Sequence, residues 1–172
     1  MNLAEQIKTR FPNFVTEAAD LRGEPLVHVK RESIRSVASA LKTDPEFQFD
    51  LLMDLFGLDF LHWEEKALRF EVVYSLYSST KNHRLFLKVS VPEKDAEVDT
   101  VSSIWPAADW YEREVWDMFG VTFKGHPNLK RLLMYEEFRG HALRKDYAYN
   151  QRQPLIPPLD LPTEGGPIAT QS

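Results

Sequence analysis

The side chains of this sequence with the clearest chemical capacity lie in its second half, from residue 104 to residue 147. Five of them have the types that transfer protons or bind metal ions, namely Glu112, Glu114, Asp117, His126 and His141. The two histidines are fifteen residues apart, and no third ligand stands at a spacing typical of a metal site. No metalloprotease, phosphate-loop or serine-hydrolase motif accompanies them. An independent acid–base or metal-dependent hydrolase therefore remains an alternative function, but no known motif supports it. We expect this chain to have no catalytic, cofactor-binding or metal-binding residue.

Apolar spacing predicts that an amphipathic helix over residues 104–119 carries most of these carboxylates. Asp109, Arg113 and Asp117 follow one another at intervals of four on the polar side of this helix. Side chains four apart on a helix can pair, and exposed pairs of this kind are common and weak. We therefore expect these three residues to form a solvent-exposed, salt-bridged face.

Glu112 falls inside the apolar arc of the same helix, among Trp105, Trp116 and Phe119. A carboxylate in such surroundings must find a cation or several hydrogen-bond donors, or take up a proton, because an unpaired buried charge is costly. We predict that Glu112 pairs with an arginine.

Gly120 is expected to end the helix in a left-handed conformation, after which the chain turns outward. Two related phrases follow at residues 125–131 and 140–147, and in each a histidine follows a glycine with a basic pair shortly after it. Six Lys or Arg and two His stand against three acids between residues 121 and 146. This basic strip could bind an anion or dock on an acidic partner, or its cations could cap helix ends and backbone carbonyls internally. Charge reversal at Arg131 or Arg144 is expected to weaken docking.

The residues before this stretch predict an α+β fold that positions it. A short helix, a strand at residues 26–29 and an amphipathic helix at residues 34–41 come first. Three runs with alternating apolar residues then predict an antiparallel meander with one buried face, which the second helix would cover. The first of these runs places on one face Phe47, Phe49, Leu51, Met53 and Leu55. We expect an antiparallel or mixed sheet with helices on one face, then a helix, basic loops and an extended tail.

Composition limits the class of protein further. The 172 residues fit one domain, and the absence of cysteine excludes disulfides and thiolate-ligated zinc or iron–sulfur clusters held by this chain alone. A net charge of −5 argues against nucleic acid as the main partner. No apolar run reaches the ~20 residues of a membrane helix, and no secretory signal is visible. These features predict a cytoplasmic chain without membrane segments.

The last part of the sequence differs in composition. Five of the eleven prolines fall in the last nineteen residues, so this part is expected to be neither helix nor central strand. We therefore divide the chain into a single α+β domain at residues 1–149 and a Pro-rich tail at residues 150–172. A disordered terminus and an extended arm lying along a partner both remain open for the tail.

Residues 112–133 carry a specific resemblance. Their sequence, Glu-Arg-Glu-Val-Trp-Asp-Met-Phe-Gly-Val-Thr-Phe-Lys-Gly-His-Pro-Asn-Leu-Lys-Arg-Leu-Leu, resembles the signature of the C subunit of the proton-pumping NADH:quinone oxidoreductase, respiratory complex I. The Leu-Arg-Lys-Asp-Tyr run at residues 143–147 adds to the match, and the whole chain fits the plan of that family.

The resemblance implies a structural or assembly subunit of the peripheral arm of complex I. Such a subunit supports NADH-to-quinone electron transfer coupled to proton translocation without a redox centre of its own. It binds no cofactor, so that NADH, flavin, iron–sulfur clusters and quinone belong to the complex.

The resemblance also implies the partners and the location of the chain. It would pack mainly on the large D subunit, beside the iron–sulfur subunits, in a hetero-oligomer on the cytoplasmic side of the inner membrane, which it touches only through the complex. The residues to which it assigns interface or structural roles are Glu112, Arg113, Glu114, Asp117, Gly120, Gly125, His126, Pro127, Arg131, Gly140, His141, Arg144, Lys145 and Asp146. The equivalent subunit of a membrane-bound hydrogenase, or of a related quinone or ferredoxin oxidoreductase, is the remaining alternative.

Overall fold

Regular secondary structure lies before residue 125 in the computed structural model, which describes residues 2–154. The helices are α1 (Leu3–Arg10), α2 (Ile34–Thr43) and α3 (Ala108–Phe119). The strands are β1 (Val15–Leu21), β2 (Glu24–Val29), β3 (Leu51–Asp59), β4 (Phe70–Ser78), β5 (His83–Val91), β6 (Glu97–Asp99) and β7 (Thr122–Lys124). Within residues 2–154, no helix is both long and apolar enough to cross a bilayer.

Five strands form a mixed sheet in the order β1-β2-β5-β4-β3. All neighbours in this sheet are antiparallel except β2 and β5, which are parallel and so require a crossover through α2, β3 and β4. The predicted meander of three antiparallel strands is confirmed as β3, β4 and β5. A separate parallel pair, β6 and β7, brackets α3 in the sequence.

The core lies between the helices and one face of this sheet. Alternate residues of β5, together with the apolar side of α2, are buried in a single cluster, as the sequence pattern predicts. The α1 residues Ala4 and Ile7 and the α3 residues Ala108 and Val115 belong to the same cluster. The predicted α+β class, with helices on one face of a mixed sheet, is thus confirmed.

The predicted face of the first meander strand is wrong in part. The strand begins only at Leu51, because Gln48 takes a left-handed conformation with φ 51° before it. A bulge between Leu52 and Asp54 then shifts the alternation by one residue. Leu52 and Leu55 are buried as a result, whereas Leu51 and Met53 are exposed. Phe47 and Phe49, before the strand, are buried as expected.

The third helix starts later than its apolar spacing predicts. The amides of Ile104 and Trp105 both bond the Val101 carbonyl in a separate turn, and α3 begins at Ala108 after Pro106. The predicted cap at Gly120 is confirmed, with φ 75°.

The outward turn expected after Gly120 is wrong. Val121 and Phe123 are buried because β7 continues inward to pair with β6.

Strand β3, at one margin of the sheet, is covered by α3. A Cβ on Gly57 would lie 2.7 Å from the Phe119 ring, so only glycine allows this close approach. The Tyr111 hydroxyl donates to the Met53 carbonyl at 3.4 Å on the same margin.

The Pro-rich tail lies mostly outside the described residues, since the description ends at Pro154. The division at residue 149 and the two readings of the tail therefore remain predictions. In the described part, the Gln153 amide bonds the Arg139 carbonyl and the Tyr135 hydroxyl bonds the Pro154 carbonyl.

Candidate functional site

The stretch singled out by its chemistry forms α3 and a following region of residues 125–154, which we call the C-terminal segment. The described segment contains no helix or strand. It is held on α3 and on the ends of β3 and β4 mainly by side chains that bond backbone groups. Because an irregular backbone must satisfy its polar groups in this way, we describe the anchoring side chains in turn.

Asp117 is the central anchor of the C-terminal segment on α3. Its carboxylate has no exposed surface, and its Oδ1 accepts from Arg131 at 2.6 Å. Its Oδ2 accepts from the backbone N–H groups of Leu132, Leu133 and Met134 at 2.8 to 3.0 Å. Burial acts to raise the pKa of Asp117, but these hydrogen bonds outweigh burial and hold the pKa below its ordinary value.

Arg113 is a second anchor, one helical turn earlier. It is buried, and its guanidinium donates to the carbonyls of Lys130 and Arg131 at 3.1 and 2.9 Å while it lies over the Trp110 ring. The expected solvent-exposed, salt-bridged face is therefore wrong for Arg113 and Asp117, whereas the Asp109 side chain is 37% exposed; no ion pair of the described residues joins the three. The C-terminal segment covers this side of the helix, which the spacing of charges along α3 could not reveal.

His141 and Arg144 close the C-terminal end of α3. The His141 Nδ1 donates to the Asp117 carbonyl at 3.0 Å, and the Arg144 Nε donates to the Phe119 carbonyl at 2.5 Å. Gly120 permits this packing, since a Cβ there would lie 2.6 Å from the His141 Nε2. Burial lowers the pKa of His141, so its ring is neutral at neutral pH. This is the internal capping role that the sequence left open for the basic strip.

An ion cluster around Arg69 fastens the C-terminal segment to the sheet. Arg69 donates to Asp59 at 3.0 Å and to Asp146 at 2.7 Å, and it also bonds Glu93. The Lys145 backbone N–H donates to Asp59 at 2.8 Å.

Sequence reasoning missed Asp59 and Arg69. In the sequence they stand near the end of one predicted strand and at the start of the next. Oppositely charged pairs are common at such positions, so nothing in the sequence distinguishes these two residues.

Glu112 is completely buried, but the predicted arginine partner is wrong. Its carboxyl accepts from the Thr100 hydroxyl at 2.5 Å and from the Val101 N–H at 2.7 Å. The nearest histidine nitrogen, Nε2 of His126, is 4.0 Å away and bonds the Asp109 carbonyl instead. Burial raises the pKa of Glu112 to about 7, against the lowering effect of its two hydrogen bonds.

The other residues of the predicted interface differ in their exposure and in their role. Gly125 and Gly140 have φ of 80° and 94° and shape turns. Glu114 and Pro127 are exposed, as is the Lys145 side chain. The structure does not gather the predicted set into one cleft. Six of its fourteen residues are exposed, namely Glu114, Gly125, Pro127, Gly140, Lys145 and Asp146, and the other eight are buried or half-buried.

The outward groups of this region form what we call the α3 surface. We assign to it three of the exposed apolar side chains, Trp110, Leu133 and Leu143, which are 60%, 57% and 54% exposed; Tyr149, 98% exposed, lies further along the segment. Its exposed cations are Lys124, Lys130, Arg139 and Lys145. The positive charge of Arg131 and Arg144 is directed inward, so the surface is less basic than its sequence suggests.

The described residues offer no grouping of three or more His, Asp or Glu side chains that could hold a metal ion. The two predicted histidines bond different backbone carbonyls, through Nε2 of His126 to Asp109 and through Nδ1 of His141 to Asp117. What the arrangement does chemically is fix an irregular segment and present a surface.

A mixed α+β domain followed by an irregular segment that charged side chains hold in place is found in a known protein family. The chain belongs to the family described as the 30 kDa subunit of respiratory-chain NADH dehydrogenase, whose model matches residues 27–153. Its relatives are named as the C subunit of NADH-quinone oxidoreductase. The protein from Roseiflexus sp. (strain RS-1) is 44% identical over 83% of this chain and 80% of its own length, and that from Geobacter metallireducens is 43% identical over 83% and 85%.

A third relative carries a combined name. The C/D subunit of NADH-quinone oxidoreductase from Escherichia coli O6:K15:H31 is 43% identical over 83% of this chain, which corresponds to 24% of its own length.

Two solved structures share the fold. A trypsin-resistant fragment of Nqo5 has a TM-score of 0.64 and 33% identity, covering 73% of this chain and 95% of the fragment. A chain of the membrane-bound sulfane sulfur reductase, an archaeal respiratory membrane complex, has a TM-score of 0.62 and 28% identity, covering 76% and 73%.

Proposed function

We propose that this chain is a structural subunit of the peripheral arm of NADH-quinone oxidoreductase that holds neighbouring subunits and has no redox centre. It supports NADH-to-quinone electron transfer coupled to proton translocation, while NADH, flavin, iron–sulfur clusters and quinone are bound elsewhere in the complex. Family membership and the lack of cysteine in the sequence support this proposal.

One observation carries the proposal: the charged side chains that lie between α3 and the C-terminal segment bond groups of the chain itself and hold the segment in place. Asp117, Arg113 and Arg131 make their hydrogen bonds to groups within the chain, so none is free to act on a substrate. What remains outside is the α3 surface, with three large apolar side chains more than half exposed. Exposed apolar side chains bordered by polar ones are typical of protein–protein contacts.

The partners follow from the same proposal. We assign the α3 surface to the large D subunit, beside the iron–sulfur subunits, on the cytoplasmic side of the inner membrane. The relative with the combined C/D name supports a close relation between the two subunits. Four exposed acids of the same region, Glu114, Glu136, Glu137 and Asp146, offset its four exposed cations, so the apolar side chains and not the net charge define the contact. The net charge of −5 gives no reason to propose nucleic acid as a further partner.

The test is affinity purification of the tagged full chain from its native membrane, followed by identification of the chains that elute with it. Leu133→Asp is expected to remove the partners because it places a charge in the apolar contact. Leu21→Asp on β1, with a similar exposed fraction of 59%, is the matched control and is expected to retain them. Equal recovery of the large D subunit with both variants would count against the α3 surface.

Arg131 is unsuited to this experiment, contrary to the expectation from sequence. Reversing its charge removes the partner of buried Asp117 and is expected to unfold the segment itself. Lys130, which is exposed, is the better site for charge reversal.

The cofactor part of the proposal has its own test. The purified chain alone is expected to show no flavin, haem or iron–sulfur absorbance and no NADH turnover. Turnover that persists in the pure chain would favour the independent enzyme.

A second candidate is the same structural role in another membrane-bound respiratory complex. The similarity to a chain of the sulfane sulfur reductase complex favours it. Co-eluting polypeptides decide between the two, since a flavin-binding NADH-oxidising subunit indicates NADH-quinone oxidoreductase.

A further inference from the structure

The pocket of Glu112 lacks a compensating charge. None of the ion pairs formed within residues 2–154 joins Glu112 to a lysine or arginine. The titratable side chains that act on it are Tyr74 on β4, Asp109 on α3 and His126. Further charges lie beside its hydrogen-bond partner Thr100: Arg35 of α2 lines the same depression, and Asp99 and Lys124 pair across β6 and β7. Arg35 and Lys124 are exposed to solvent, and Asp109 carries the same sign of charge as an ionised Glu112.

Tyr74 gives no compensation either. Its hydroxyl is buried and has no hydrogen-bond partner among the described residues. Burial, and then the negative charges of Glu112 and Asp99, raise the pKa of this hydroxyl, so it stays protonated. An ionised Glu112 would therefore be stabilised by two hydrogen bonds only, from Thr100 and Val101.

His126 could supply a positive charge only by breaking a loop contact. Its Nδ1 accepts from the Asn128 N–H at 3.0 Å, and its Nε2 donates to the Asp109 carbonyl at 3.0 Å. A proton on Nδ1 would displace the Asn128 N–H, because a protonated ring nitrogen cannot accept. Ionisation of Glu112 thus either leaves a buried charge unpaired or releases the loop at residues 125–128.

A short chain of hydroxyls connects Glu112 with the surface. Thr100 lies 2.8 Å from the Ser102 hydroxyl, and Ser102 is half-buried beside an open depression that Arg35 and Ser103 also line. A neutral Glu112 can donate to Thr100, which then donates to Ser102; an ionised Glu112 accepts from Thr100, and both hydroxyls rotate. The proton therefore has a route to solvent without unfolding.

We propose that Glu112 is a proton-linked latch, whose neutral form holds residues 100–102 and the loop at residues 125–128 on α3 and whose ionisation loosens both. Leu133 of the α3 surface follows this loop by five residues in the same segment, and we extend the proposal to docking, which the neutral form would strengthen. As a control on docking, the latch rests on the proposed function.

The sign of the pH dependence follows from burial. Burial raises the pKa of Glu112 to about 7, above the ordinary value of 4.5 that applies in the unfolded chain. A carboxyl whose pKa is raised in the folded chain adds stability to the latched conformation while it is protonated. This stability is complete below pH 4.5 and is lost as the pH rises through about 7.

The first experiment follows the side-chain carboxyl resonances of the full chain by carbon NMR between pH 4 and pH 9. One glutamate is expected to titrate near neutral pH, to disappear in Glu112→Gln, and to persist in Glu114→Gln, the exposed neighbour on the same helix. Titration of every glutamate in the ordinary acidic range would overturn the latch.

The second experiment measures amide hydrogen exchange of Val101 and Asn128, corrected for intrinsic rates. Protection of both amides is expected to fall about tenfold between pH 6 and pH 8 in the wild-type chain. Glu112→Gln keeps a neutral side chain of the same shape and is expected to show no such fall. An equal fall in Glu112→Gln, or no fall in the wild type, would contradict the proposal.

Co-purification at pH 6 and pH 8 separates this inference from the proposed function. Partners are expected to elute in larger amount at pH 6 with the wild type, and equally at both values with Glu112→Gln. Partners absent under all conditions would remove the proposed function but leave the NMR result standing. Partners recovered equally at both pH values with the wild type would remove the latch as a control on docking.

Discussion

The sheet body and the C-terminal segment of this protein are stabilised in different ways. The body, before residue 125, uses backbone ladders between strands and an apolar core shared by all three helices. The segment, residues 125–154, has no ladder in its described part and depends on a few charged side chains that bond its backbone. The comparison teaches that polar residues can be as structural as apolar ones when an irregular chain must be fixed in place.

Asp117→Ala is the substitution expected to have the largest effect on this comparison. It removes one partner of a buried ion pair and the acceptor of three amides, so the free energy of unfolding should fall by ~3–5 kcal/mol. The segment should lose resistance to trypsin before the sheet does. Urea unfolding and timed proteolysis measure both effects.

The control for that experiment is Glu114→Ala, on the exposed side of the same helix. It should change stability by less than ~0.5 kcal/mol. A proteolysis pattern for Asp117→Ala identical to the control would show that the segment does not depend on this anchor.

Leu87→Ala tests the body in the same assay. Leu87 is fully buried in the middle of β5, so its truncation should cost ~2–5 kcal/mol by leaving a cavity. Because the core cluster joins the sheet and all helices, protection should decrease in the body and the segment together. If Leu87→Ala released only the C-terminal segment and left the sheet protected, the segment would depend on the apolar core more than on its own charged side chains.

Gly120→Ala should have an intermediate effect of ~1–3 kcal/mol. It combines a left-handed backbone, φ 75°, with a Cβ that crowds His141 and Arg144. Gly125→Ala is the matched variant, since its φ is 80° but its Cβ would meet only Thr100, at 3.5 Å. The excess destabilisation of Gly120→Ala over Gly125→Ala, measured by thermal unfolding, reports the crowding alone; no excess would argue against the close contact.

Mild acid should have the smallest effect on the segment. Hydrogen bonds hold the pKa values of Asp117 and Asp59 below their ordinary value near 3.8, despite burial that acts to raise them. Their contribution is therefore complete above that value and is lost only as pH falls below it. Hydrogen exchange should show the segment protected from pH 7 to pH 5 and released first below about pH 4. Release already between pH 7 and pH 5 would refute the anchoring role of these carboxylates.

Much of the body could be predicted because burial leaves a periodic trace. Alternation located β4 and β5, and spacing of three and four located α2. Neither the left-handed residue Gln48 before β3 nor the bulge between Leu52 and Asp54 could be predicted, since both are local backbone irregularities that the spacing of apolar residues does not report. As a result, Leu51 and Met53 in the first half of β3 are exposed where the alternation predicts burial.

The segment left no such trace. A helical wheel shows that Asp117 and Arg113 share a polar side, but it does not show whether a later part of the chain covers that side. The resemblance to the complex I family drew attention to this region, and the family model matches residues 27–153. It could not tell that Arg131 and Arg144 face inward, because their partners are carbonyls and a carboxylate supplied by distant residues.

Coverage of the β3 margin by α3 has a consequence for self-association. A bare sheet edge invites strands from other molecules, and chains with such edges tend to polymerise. Phe119 packs over Gly57 and Tyr111 bonds the Met53 carbonyl, which covers part of this margin, while Leu51, Met53 and Phe56 stay exposed. The opposite margin, β1, carries the exposed acids Glu17 and Asp20 and an irregularity after Val15. The two margins of the sheet thus discourage strand pairing between copies of this chain in different ways, through partial cover by α3 at β3 and through repulsion between acids at β1.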